Sequence, residues 1–177
     1  MFFPRASTIL LMLLMATIAW SSGHGHSSGD MKHSKSMDHA GEVSSGDIVV
    51  MHPWSRAVPV AGMNAAGYMK IMNKGDKAVT LTQFVSSASA KTSLHETVKK
   101  GDMASMRALP EGITIPAKGN ISLQPGGLHL MLLKIKAPLV EGDEIPVTLK
   151  FDSGIELAAK LMVKPIGTTD GHDKMHH

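Results

Sequence analysis

The chain has no cysteine in its 177 residues, and that absence removes several classes of protein at once. A thiol nucleophile is excluded, and so is a blue-copper electron carrier, whose metal needs a thiolate as its strong equatorial ligand. Disulfides cannot form, and no cysteine follows the N-terminal apolar run to carry a lipid. Aromatic residues are scarce at 4%, and the formal net charge of +3 is spread thinly. No Lys/Arg cluster is interleaved with aromatics, so no nucleic-acid surface is indicated. Enzyme signatures are missing too. There is no Gly-x-Ser-x-Gly elbow and no His-Glu-x-x-His motif, for His95-Glu96 has no second histidine at the required spacing. The expectation is a protein that is not an enzyme.

Long hydrophobic runs are also missing, with one exception. Ala6 to Trp20 is apolar apart from Ser7, Thr8 and Thr17, follows Arg5, and leads into Ser21-Ser22-Gly23. That layout reads as a cleavable export signal over residues 1–23, too short for a membrane span, which places the mature protein in the periplasm. Residues 24–46 are rich in Ser, Gly and His without hydrophobic periodicity and read as a disordered tail. A folded domain is expected over 47–164, followed by a polar tail over 165–177.

What the chain has in excess is soft and borderline metal donors: 14 methionines and 10 histidines. Methionine is a common core filler, but here it is paired with histidine in short motifs. Met31-Lys32-His33, Met37-Asp38-His39, His129-Leu130-Met131 and Met175-His176-His177 all follow this pattern, with His95 and Met106 between them. Imidazole and thioether are the ligand set expected for Cu(I) where thiolate is unavailable.

Short apolar runs broken by Gly, Pro and Asn predict an all-β sandwich or barrel. Strands are expected at 47–52, 65–72, 78–85, 92–99, 103–108, 119–124, 128–135, 145–151 and 155–163. Alternate residues on a strand share a face, so Leu128, Leu130 and Leu132 are expected in the core, with His129 and Met131 projecting outward together. They lie roughly 7 Å apart along the strand. The same alternation buries Leu94 and turns His95 outward. A turn at Lys100-Gly101-Asp102 would bring Met106 back alongside His95, giving a four-donor site from three strands.

These residues also resemble a family, the periplasmic copper chaperones of the PCu(A)C type. Their pattern is a His, about ten residues, a Met, about twenty-one residues, then His-x-Met. Here 10 residues separate His95 from Met106 and 22 separate Met106 from His129. Trp54-Ser55-Arg56-Ala57, Ala65-Ala66-Gly67-Tyr68-Met69, Ser93-Leu94-His95-Glu96-Thr97 and Pro125-Gly126-Gly127-Leu128-His129-Leu130-Met131-Leu132 strengthen the resemblance, which covers roughly 47–163. It implies a cupredoxin-like β-sandwich or Greek-key barrel, monomeric, with one Cu(I) held at the surface by His95, Met106, His129 and Met131. It further implies delivery of that copper to the binuclear centre of cytochrome c oxidase subunit II, beside Sco-type thiol proteins. A copper-buffering or resistance role would use the same ligands without a dedicated recipient.

The other donors divide into bland and sharp readings. His52 is read as a surface or capping residue, and Met51, Met69, Met72 and Met162 as packing. Met103 is left open between core and auxiliary donor. Trp54 and Arg56 are assigned to the fold, as an aromatic anchor and a surface pair. The tails are read as accessory metal-capturing segments. Signal cleavage after Ser21 would leave an N-terminal Ser-Gly-His, a square-planar Cu(II) site, and cleavage after Gly23 would leave His24 as a terminal chelate.

Overall fold

The computed structural model describes residues 41–169. Strands are the regular elements among them: β1 (Glu42–Ser45), β2 (Ile48–Arg56), β3 (Ala65–Asn73), β4 (Val79–Val85), β5 (Ser89–Lys100), β6 (Met103–Ala108), β7 (Ile113–Ile115), β8 (Asn120–Leu123), β9 (Leu128–Ile135), β10 (Glu144–Phe151) and β11 (Glu156–Lys164). The signal segment, the first part of the expected N-terminal tail and the last residues of the chain lie outside the described residues. The expected tail boundary at 46 is too late. Glu42–Ser45 pairs antiparallel with β2, from Glu42↔Met51 to Ser45↔Ile48, and half-buries Val43 against the core.

Strand order is β6-β5-β9-β8-β3-β2-β11-β10-β4-β7, with β1 on β2 and a further pairing of β9 to β3. The sheet is therefore not closed into a barrel, because β6 and β7 stand at its two ends. Pairing is antiparallel except for β2–β11 and β8–β9. The sheet instead folds over a single core drawn from nearly every strand, including Val50, Leu81, Phe84, Leu130, Leu149 and Leu161.

Period-two alternation drives this arrangement. In β11 every second residue, Leu157, Ala159, Leu161 and Val163, is buried, and β10 follows the same rule through Ile145, Val147, Leu149 and Phe151. Three methionine assignments need correction, two of them because of this alternation. Met69 is a core residue, 3% exposed, but Met162 is 40% exposed and Met51 and Met72 are only half-buried. Met72 and Met162 fall at the outward positions of their strands, beside Ile71 and Leu161, which take the core.

His52 interrupts β2. Its φ of 48° and the register shift between Met51 and Trp54 mark a bulge, which leaves its ring exposed as expected. Beyond the bulge Trp54 is buried against Tyr68, ring centroids 4.6 Å apart. Arg56 lies over the Tyr68 ring at 5.9 Å, and its Nε donates to the Thr168 carbonyl at 2.7 Å. Trp54 and Arg56 thus serve the fold.

Candidate metal centre

The site is built by β5, which pairs with β6 on one side and β9 on the other. The β5–β6 hairpin turns at Gly101-Asp102, with Gly101 at φ 61° and Lys100 opposite Met103. That register sets Thr97 against Met106 and His95 against Ala108. Across the other edge, His95 faces His129 and Ser93 faces Met131. Residues directly opposite on antiparallel strands share a face, as do residues two apart on one strand. His95, Met106, His129 and Met131 therefore occupy one face of three adjacent strands, the face away from Leu94 and Leu130. The two histidines are directly opposite. Each methionine stands on a diagonal to His95, where such pairs are about 7–8 Å apart at the backbone, within reach of long side chains.

Met103 is three residues from Met106 and so points to the other face of β6. It is 74% exposed and is neither core nor donor to this cluster. His129 needs a correction of a different kind. It does point away from the core leucines, but it is buried, 5% exposed, where an outward-facing ring was expected. The His95 ring on β5 and the Gly127 carbonyl just before β9 lie against it.

The two imidazoles have ring centroids 5.8 Å apart and planes tilted by 54°. A metal–nitrogen bond of about 2.0 Å, plus roughly 1.1 Å from nitrogen to ring centre, fixes what one ion can bridge. Two imidazoles on that ion would have centroids about 5.1 Å apart at a tetrahedral angle and about 6.2 Å apart when collinear. The observed separation falls inside that window.

The backbone orients His129. Gln124-Pro125-Gly126-Gly127 forms a turn closed by Gly127 N–H donating to the Gln124 carbonyl at 3.0 Å, with Gly126 at φ 79°. Proline at the second position and a left-handed glycine at the third define a type II turn. Its last carbonyl, that of Gly127, accepts from Thr97 N–H at 3.0 Å and from His129 Nδ1 at 3.0 Å. That bond fixes the tautomer and leaves Nε2 with its lone pair, the way proteins commonly orient a metal-binding histidine.

His95 lies 2.9 Å, through Nε2, from Ser93 Oγ, while its Nδ1 is buried without a partner. Burial, and secondarily the nearby His129 ring, hold its pKa below the usual imidazole value. A neutral ring with an unsatisfied buried nitrogen is suited to a cation and poorly suited to a proton. Met106 completes the gradient of exposure: it is 61% exposed on the edge strand, while Met131 is half-buried.

Among the described residues no group of three or more His, Cys, Asp or Glu side chains could hold a metal. The candidate donors at this face are two imidazoles and two thioethers. The four residues singled out from sequence all arrive on one face. Ser93 and Gly127, which hold the imidazoles, were not singled out. Ser93 stands two before His95, on the same face, and Gly127 closes a recognisable Pro-Gly turn, so both signals were available.

Fold and site together define an all-β domain of the cupredoxin-like kind, carrying two histidines and two methionines on one face at one end of its sheet. Residues 48–163 match the family described as "Putative lipoprotein LpqE-like", and the chain belongs to that family. It is 37% identical over 117 residues to the putative lipoprotein Lxx21020 of Leifsonia xyli subsp. xyli, covering 66% of this chain and 69% of that protein. Among solved structures, the apo PCuAC domain from PmoF1 is 27% identical, with a TM-score of 0.59 over 70% of this chain and 98% of that one. The solution structure of CuI-DR1885 from Deinococcus radiodurans is 35% identical, with a TM-score of 0.52 over 63% of this chain and 74% of that one. The described residues contain no helix long and apolar enough to cross a membrane.

Proposed function

We propose that the protein is an exported, periplasmic copper chaperone that holds one Cu(I) through His95, Met106, His129 and Met131. The observation that carries this reading is the meeting of two imidazoles and two thioethers on one face of β5, β6 and β9, at a ring spacing one ion can bridge. The likeness to a Cu(I)-bound relative supports it. Four neutral donors leave the ion its own single positive charge, which a partly exposed site tolerates. Thioethers favour Cu(I) over Cu(II), so the site protects the reduced ion. Release then proceeds by ligand exchange, a recipient's thiolate or thioether replacing one donor at a time. The recipient is subunit II of cytochrome c oxidase, with a Sco-type thiol protein as exchange partner. The His/Met-rich tails gather further copper, including Cu(II).

The test is transfer. Cu(I)-loaded protein is mixed with the apo soluble domain of oxidase subunit II, the two are separated, and copper is measured in each. Movement of copper to the recipient is expected. Retention by the donor protein would refute a chaperone role and leave a copper buffer.

A further inference from the structure

The two histidines are held by hydrogen bonds at different ring nitrogens. His129 commits Nδ1 to the Gly127 carbonyl, so Nε2 is its remaining donor atom. At His95 the arrangement is reversed: Nε2 is engaged with Ser93 Oγ and Nδ1 is buried without a partner. Resting on the four-donor reading above, we propose that copper is met by His95 through Nδ1 and by His129 through Nε2, and that Ser93 is the positioning residue that makes the His95 choice.

The argument begins with the proton. If His95 carried it on Nδ1, a buried N–H donor would have no acceptor, a defect that folded proteins avoid. With the proton on Nε2, that nitrogen donates to the Ser93 hydroxyl and the buried Nδ1 keeps a lone pair. The leftover group is then an unfilled acceptor, which a bound cation satisfies. Ser93 is able to do this because it is two residues before His95 on an extended strand and shares its face. It also stands opposite Met131, so one strand position supports an imidazole and faces a thioether.

The mixed geometry has a consequence for where the ion sits. Nδ1 is attached one bond nearer the backbone than Nε2. Ligation through His95 Nδ1 and His129 Nε2 therefore draws copper toward β5 and away from β9. That displacement brings it closer to β6, where Met106 is the exposed donor. Both nitrogens' outer partners are of the kind whose loss weakens metal sites by about tenfold or more.

The test uses the full-length chain and residue-assigned ¹H–¹⁵N spectra of the imidazoles, before and after Cu(I) loading. His95 is expected to show a protonated Nε2 and a bare Nδ1 in the apo protein, with Nδ1 shifting on loading, while Nε2 shifts at His129. Ser93→Ala is expected to mix the His95 tautomers and lower Cu(I) affinity about tenfold. Ser93→Thr, which keeps the hydroxyl, should restore both. Coordination at His95 Nε2, or a Ser93→Ala protein with unchanged tautomer and affinity, would overturn the proposal while leaving the four-donor site intact. If neither His95 nitrogen responds to Cu(I), the four-donor reading fails with it.

Discussion

Replacing Met106 by Leu separates the metal site from the fold. Met106 lies on the edge strand β6, is 61% exposed and pairs only with Thr97. Leu and Met are close in volume, and exposed substitutions of this kind change stability by at most about 0.5 kcal/mol. The thioether, however, is one of the four donors of the proposed site. Loss of an outer partner alone costs a metal site 10- to 100-fold, so loss of a direct donor should cost at least about that much, or about 1.4–2.7 kcal/mol of binding.

Met103→Leu is the matched control. It is also on β6, is even more exposed at 74%, and points to the opposite face. Competition of each variant against a chromophoric Cu(I) chelator gives the affinities, and thermal unfolding of the apo proteins gives the stabilities. The expected pattern is a drop in affinity for Met106→Leu, none for Met103→Leu, and unchanged melting for both. Equal Cu(I) affinity for Met106→Leu and the parent would remove Met106 from the site and refute the register argument.

Two further predictions concern the fold and the pH response. Gly112 has φ 87°, and a Cβ there would lie 2.4 Å from the Leu81 carbonyl oxygen. Gly112→Ala therefore combines backbone strain with a backbone clash and should destabilise the apo protein by roughly 2–4 kcal/mol in chemical denaturation; a loss below about 0.5 kcal/mol would contradict the tight β6–β7 turn. For pH, the folded-state pKa of His95 is depressed, so its neutral form is favoured and protons compete for it only below the ordinary imidazole range, near 6.5. Cu(I) affinity measured from pH 8 downward should hold through neutrality and fall as pH passes below that range through the depressed value. The folding stability tied to this group, present above its unfolded pKa, is lost over the same interval. A loss of affinity already complete at pH 7 would show that the ring is not held neutral by the fold.

The architecture was legible because its causes are local. Alternation in β9, β10 and β11 assigns the core directly, the turn residues at Lys100-Gly101-Asp102 fix where β5 reverses into β6, and Gln124-Pro125-Gly126-Gly127 marks the break between β8 and β9, which run on in one direction along β3. A two-residue hairpin also fixes register, and that places Met106 on the face of His95. What was not legible depends on contacts between distant segments. β1 was hidden because Glu42–Ser45 has little apolar content of its own and is ordered by pairing with β2. The short β7, Ile113–Ile115, lacks the length to stand out and is held by β4. Burial of His129 depends on neighbouring strands and the preceding turn, none of which alternation within β9 can report. The openness of the sheet is of the same kind, because closure depends on whether its two end strands meet.

The uneven exposure of the four donors bears on how a tightly held ion can still be given up. His129 is 5% exposed and tethered through Gly127 to both the turn and β5, whereas Met106 is 61% exposed on a strand with one free edge. Exchange at His129 would require displacing a packed ring and breaking its hydrogen bond to the Gly127 carbonyl. Exchange at Met106 requires only the rotation of a flexible, unbranched side chain already in solvent. In the proposed transfer, the recipient's first donor therefore replaces Met106, and the buried His129 imidazole is the last to let go. Met106→His tests that order. It keeps a neutral donor at the same exposed position but removes the weak, easily displaced thioether, so Cu(I) should remain bound while the rate of transfer to an acceptor falls. An unchanged transfer rate would mean that release begins elsewhere, and the half-buried Met131 would be the next donor to examine.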